Sequence, residues 1–174
     1  RLIDIYPVAG VTTNPTIVAR EGRPFRDLLI SLRKAIGPDR QLHVQVVAPD
    51  AAGMLAEARL LQELVGGESY AKVPITPEGL KAMRLMPAEG LPVTATAVFT
   101  VQQAMLAARA GASFVAPYVN RLDQIQSSGA DLVARIVKSY KEHGIATRVL
   151  AASFRNCEQV ERCCEAGVHA VTVS

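Results

Sequence analysis

The chain has 174 residues, 49% hydrophobic and 5% aromatic, which is enough for one domain with a large aliphatic core and too little for two. Its 19 basic and 16 acidic residues leave a net charge of +3, and the basic ones are scattered, which argues against nucleic acid as the main partner. Apolar stretches are strand-sized, short of a membrane span or a signal-peptide core, so the expectation is a soluble, cytoplasmic protein with no membrane partner.

The first predicted strand, residues 8–13, runs into Thr12-Thr13-Asn14-Pro15, a cluster of small polar groups where a strand end opens. Thr13 and Asn14 are candidate substrate contacts; Asn14 either orients a hydroxyl or closes an Asx-type turn before Pro15. Phe25, Leu28, Leu29, Leu32 and Ile36 then fall on one helical face. The second strand, 41–47, places His43 and Gln45 on the same side by its period of two. Of these, Gln45 is the site candidate and His43 reads as a core histidine with its hydrogen bonds made.

Another helical face, Met54, Ala58, Leu61 and Val65, precedes the third strand at 69–74, which carries one lysine in an apolar run. Ala71, Val73 and Ile75 around Lys72 strip water from its ammonium and lower its pKa toward neutrality, where the amine attacks a carbonyl. The alternative is a lysine snorkelling from a strand edge with its head in water. Thr76 is an N-cap, with Pro77 at the first helical position and Glu78 in the first turn, and Pro87 shortens the end of the helix that follows.

In the fourth strand, 92–98, Thr96 stands where it can hold a water beside a lysine. The fifth, 113–118, ends in Tyr118 and is followed by Arg121: a phenol able to move protons and a guanidinium able to grip a phosphate. Leu132, Val133, Ile136, Val137 and Tyr140 make a third helical face, closed by Gly144. The sixth strand, 147–153, ends at Ser153 with Arg155 just beyond, ahead of a helix beginning near Asn156 whose N-terminus suits an anion. Cys157, Cys163 and Cys164 fit neither a disulfide framework nor a zinc spacing, and Cys163 and Cys164 are expected to pack inward. The last strand is 169–173.

Strict alternation of strands and helices is the mark of βα units on a parallel sheet. No G-x-G-x-x-G follows the first strand, and the reactive side chains sit at the C-terminal ends of many strands, so a barrel is favoured over an open doubly wound sheet. The start at Arg1 and the end in an apolar run read as a single barrel domain over 1–174, cut at both ends.

Four segments in order, A-G-V-T-T-N-P at 9–15, K-V-P-I-T at 72–76, V-A-P-Y-V-N-R at 115–121 and A-A-S-F at 151–154, closely resemble the transaldolase family and its fructose-6-phosphate aldolase branch. That resemblance implies an α/β (β/α)₈ TIM-type barrel, here lacking its first strand and C-terminal helices. It implies a Schiff base on Lys72 with a ketose phosphate or a small hydroxyketone, without metal or organic cofactor. Tyr118 matches the proton-transfer tyrosine, with Gln45 and Thr96 holding a relay water, and Asn14 matches the contact to donor hydroxyls. Arg121 and Ser153 match the phosphate contacts, with Arg155 a weaker addition. Transaldolases resembling this chain carry glutamate where Gln45 stands, so Gln45 favours an aldolase over a dihydroxyacetone-transferring enzyme. The resemblance also implies a homo-oligomer for the full-length protein. Departures are the absence of the first strand's aspartate, which Asp4 is not placed to replace, and Phe99 where the aldolases show tyrosine. The missing strand leaves an inactive sugar-phosphate-binding remnant as a third possibility.

Overall fold

The structure, a computed structural model, describes residues 2–174. Seven strands, β1 Gly10–Thr12, β2 Gln41–Gln45, β3 Ser69–Pro74, β4 Val93–Val98, β5 Phe114–Pro117, β6 Arg148–Ala151 and β7 Ala170–Val171, form one parallel sheet in chain order. Helices α1 Leu2–Ile5, α2 Pro15–Arg20, α3 Phe25–Ile36, α4 Ala51–Val65, α5 Pro77–Leu85, α6 Val101–Arg109, α7 Val119–Asp123, α8 Gly129–Glu142 and α9 Cys157–Glu165 fill the connections. The edges are β1 and β7, and the sheet curls until Thr12 Oγ1 and Thr172 Oγ1 lie 2.8 Å apart. This is the curled, helix-wrapped parallel sheet of the TIM-barrel type.

Period two divides the core into two layers. Leu42 and Val44 of β2, Ala71 and Val73 of β3, Val93 and Ala95 of β4, Val115 of β5 and Val149 of β6 point outward. They pack under Leu29 and Ile36 of α3, Met54, Ala58 and Leu61 of α4, Ala82 and Met83 of α5, and Val133, Ile136 and Tyr140 of α8. Each such aliphatic side chain contributes about 1.5–3 kcal/mol on leaving water. The opposite parity fills the inside: Tyr70, Phe114 and Leu150 cluster there with Ala170. His43 stacks on Tyr70 at 4.6 Å and meets Phe114 edge-on at 5.3 Å, while the Arg148 guanidinium lies 4.0 Å above the Phe114 ring.

Six helices begin on a side-chain cap: Asn14, Asp50, Thr76, Thr100, Ser128 and Asn156 each accept the backbone N–H three residues on. Each cap is worth about 1 kcal/mol and turns the chain from a strand end into the helix. Gly79 is required beyond Thr76, because a Cβ there would run into the Pro74 carbonyl.

Several expectations need correction. Six of the seven strands are shorter than expected, β1, β6 and β7 by three residues each, while β3 keeps its expected bounds. Phe25 is 44% exposed, because burial along α3 starts only at Leu28. Cys163 is buried but Cys164 is exposed: neighbours on a helix point about 100° apart and α9 turns one of them to the core. Arg121 lies within α7, beyond the end of β5. After α5, Pro87 sits in a 3-10 turn, Met86–Glu89, as its missing N–H suggests.

At the N-terminal end of the sheet, Arg33 donates from Nη1 to the carbonyls of Gly37 and Arg40 at 2.8 Å each, and from Nη2 to those of Gly66 and Glu68 at 3.2 Å each. One guanidinium thus ties the C-terminal ends of α3 and α4 to the starts of β2 and β3, where helix carbonyls favour a cation. Arg33→Gln is expected to destabilise the fold by about 2–3 kcal/mol, roughly 5–10 °C in Tm, in a thermal melt.

Candidate functional site

The candidate site residues gather at the C-terminal ends of the strands. On β3, Lys72 follows Tyr70 at the same parity and so points inward, flanked in register by Gln45 of β2 and Thr94 of β4. It is 7% exposed. Its Nζ donates to the Thr13 carbonyl at 2.7 Å, and burial pushes its pKa down to about 8. A usable fraction of neutral amine is therefore present near neutral pH, held by a carbonyl that leaves the nitrogen lone pair for a substrate.

Thr13 meets the lysine through its backbone carbonyl, while its buried hydroxyl donates to the His43 carbonyl at 3.3 Å. Asn14 is the N-cap of α2, its Oδ1 accepting from the Ile17 N–H at 2.9 Å, which leaves its amide N–H groups as the atoms suited to a hydroxyl. Gln45 is partly buried at the end of β2, next to Lys72 in register.

Below the lysine, His43 places Nδ1 2.8 Å from Thr94 Oγ1 and Nε2 3.3 Å from Gln41 Oε1. Burial, with Lys72 and Arg148 nearby, pushes its pKa down to about 3, so this imidazole is neutral and both its nitrogens are satisfied. It is a buried core histidine with both hydrogen bonds made, lying beneath the candidate site.

Across the sheet, Thr96 Oγ1 lies 3.1 Å from Tyr118 Oη, joining β4 to the end of β5. The Phe99 ring packs edge-on against Tyr118, with centroids 5.7 Å apart and planes at 79°. The stretch after Tyr118 is tied to the end of β6 by a bridge between Tyr118 and Ala152 and by the Asn120 N–H donating to the Ser153 carbonyl at 2.8 Å. Ser153 is partly buried with φ +63°, a left-handed conformation rare outside glycine. Arg121 in α7 and Arg155 before α9 are exposed, and the backbone N–H of Arg155 donates to Gln159 Oε1 at 2.7 Å. Gln159 in turn donates to Asp123 and Asn120, fixing the start of α9 against α7.

Two groups result: Thr13, Asn14, Gln45 and Lys72 from β1 to β3, and Thr96, Tyr118, Arg121, Ser153 and Arg155 from β4 to β6. Both stand at the same end of one sheet. Two surface cavities lie elsewhere. One of about 380 Å³ is lined by Arg109, Ser113, His143 and Thr147 at the opposite end, and one of about 310 Å³ by Phe99, Thr100, Leu122, Ser128 and Arg135 outside β4. Size alone is not informative here, since the buried lysine lines neither. Among the described residues no group of three or more His, Cys, Asp or Glu side chains is placed to hold a metal, and no helix is long and apolar enough to cross a membrane.

The family profile described as transaldolase/fructose-6-phosphate aldolase matches residues 1–174. The chain belongs to that family. It is 39% identical over 170 residues to a probable fructose-6-phosphate aldolase of Streptococcus pneumoniae, covering 97% of this chain and 77% of that protein. It is 42% identical over 166 residues to a probable transaldolase of Pelotomaculum thermopropionicum, covering 95% and 76%. Solved structures of similar fold include a mandelate oxidase variant bound to 2-hydroxy-phenylacetamide, with TM-score 0.64, 17% identity, and coverage of 96% of this chain and 64% of that one. A 4-hydroxy-2-oxoglutarate aldolase has TM-score 0.53, 22% identity, and coverage of 75% and 56%. At those identities the likeness concerns the fold, and the chain spans under two thirds of each solved chain.

One contact at the candidate site, that of Phe99 with Tyr118, is made by packing and had no signal in the sequence. Phe99 was noted only as a departure from tyrosine, and its contact with Tyr118 depends on a local break in strand period that an alanine at position 97 does not advertise.

Proposed function

We propose that the protein is a class I aldolase that cleaves or forms a ketose phosphate such as fructose 6-phosphate. The observation that carries this reading is the inward lysine, 7% exposed, bonded to the Thr13 carbonyl and with its pKa near 8. Membership of the family supports it.

In this reading the neutral Lys72 amine adds to the C2 carbonyl, and loss of water gives a protonated imine that draws electrons from the C3–C4 bond. Tyr118, acting with a water held by Thr96 and Gln45, takes the proton from the C4 hydroxyl. The C3–C4 bond breaks, an aldehyde phosphate leaves, and the enamine electron pair remains on the lysine adduct. Protonation at C3 and hydrolysis return dihydroxyacetone and the free amine. Asn14 holds donor hydroxyls through its amide N–H groups, and Arg121 and Ser153, with Arg155 at the rim, receive the phosphate.

Sodium borohydride with dihydroxyacetone or fructose 6-phosphate is expected to add reduced-adduct mass at Lys72, read by peptide mass spectrometry. An unmodified Lys72 under turnover conditions would reject the mechanism. A second reading, transfer of the dihydroxyacetone unit to an aldose, is favoured by the 42% identity to a probable transaldolase. The amide at Gln45 argues the other way, since it cannot ionise. Release of free dihydroxyacetone from fructose 6-phosphate without any aldose acceptor supports the aldolase; strict dependence on erythrose 4-phosphate supports transfer.

A further inference from the structure

Thr96 and Phe99 both touch Tyr118, one at the phenol oxygen and the other on the ring. In an unbroken strand, residues three apart point to opposite faces. The register shows how they converge. Ala95 pairs with Val115 and Val98 with Pro117, so Thr96 and Ala97 on β4 stand opposite the single residue Ala116 on β5. That is a β-bulge, and Ala97 within it has φ +56°, a left-handed conformation costing an alanine about 1–2 kcal/mol. The extra residue turns the remainder of the strand over: Val98 goes fully buried into the outer core, and Phe99, just past the strand end, packs on the rim of that core and meets the Tyr118 ring.

We propose that Phe99 is a positioning residue for Tyr118, delivered by the bulge at Thr96 and Ala97 so that the phenol is gripped at its oxygen by β4 and at its ring by the residue just past the end of that strand. The inference rests on the aldolase reading, in which Tyr118 moves the proton. Tyr118 immediately precedes the five-residue helix α7 and is partly buried; the bridge to Ala152 fixes its backbone, and those two contacts act on its side chain. An edge-to-face pair expressed in the transition state is worth roughly three- to tenfold in rate.

The test compares Phe99→Leu, which keeps an apolar side chain without the ring contact, with Phe99→Tyr, which restores the ring. Phe99→Leu is expected to lower kcat for fructose 6-phosphate cleavage about three- to tenfold with KM changed less than about twofold, while borohydride still traps Lys72 to the same extent. Phe99→Tyr is expected to hold kcat near that of the unsubstituted protein. A Phe99→Leu enzyme with unaltered kcat, or a Phe99→Tyr enzyme as slow as Phe99→Leu, overturns the positioning role and leaves the aldolase reading intact. Failure to trap Lys72 in the unsubstituted protein overturns both.

Discussion

Lys72→Met is expected to abolish imine trapping and to cut ketose-phosphate cleavage by at least about 10⁴-fold, while making the folded protein more stable at pH 7. Removing the nucleophile explains the first effect. The second follows from burial: a lysine pKa lowered from 10.5 to about 8 corresponds to about 3 kcal/mol of unfavourable charge burial at neutral pH. Methionine fills a similar volume without a charge, though it loses the hydrogen bond to the Thr13 carbonyl, so a net gain of about 1–3 kcal/mol is expected. In a protein of this size that is roughly 3–10 °C in Tm.

The gain should depend on pH in one direction. Between about pH 8 and 10.5 the unfolded chain binds the lysine proton and the folded chain does not, so the stability of the unsubstituted protein rises with pH across that window. The Lys72→Met advantage is therefore full below pH 8 and shrinks toward pH 10.5. Denaturant titrations of both proteins at pH 7 and pH 10 measure it. Equal stabilities at pH 7 would show that the ammonium is well solvated in the folded state and remove the basis for a reactive amine.

How far these features were visible in the sequence depends on whether they are local. The β3 strand was expected at 69–74 and is observed as Ser69–Pro74, because it is central, apolar and stopped by Pro74 and the Thr76 cap. Helix faces such as Leu132, Val133, Ile136 and Tyr140 follow from the 3.6-residue period, and all four are buried. The inward direction of Lys72 follows from its parity with Tyr70, yet the partner that holds it, the Thr13 carbonyl, is 59 residues away and is a backbone atom of no particular residue type. Arg33 is similar: its four acceptors are carbonyls from two connections, α3–β2 and α4–β3, so nothing in its neighbourhood in sequence singles it out. The bulge at Ala97 was hidden for the opposite reason. A left-handed position normally declares itself by glycine or asparagine, and here the surrounding ladder holds an alanine in it. Strand period points Thr96 inward, where the expectation was a water beside a lysine; its direct contact with Tyr118, like that of Phe99, comes from the folded ladder.

Tyr118→Phe separates the two halves of the proposed chemistry. Lys72 draws its reactivity from burial and from the β1–β3 side, whereas Tyr118 is held by Thr96 of β4, by Phe99 just beyond that strand and by the bridge to Ala152. Substitution removes one hydroxyl and preserves the edge-to-face ring contact, so the lysine should keep its environment. The expected result is a fall in kcat of about 10²–10³-fold, within the range for loss of a general acid–base group, with borohydride trapping of dihydroxyacetone at Lys72 retained. Thr96 has a fallback when the phenol is gone, since a threonine hydroxyl in a strand can turn to a neighbouring carbonyl, and stability should change by less than about 1 kcal/mol. Trapping lost together with turnover would mean that the phenol is needed to form the imine. Turnover retained would assign the proton transfer to another group, with Gln45 excluded because its amide does not ionise in this range.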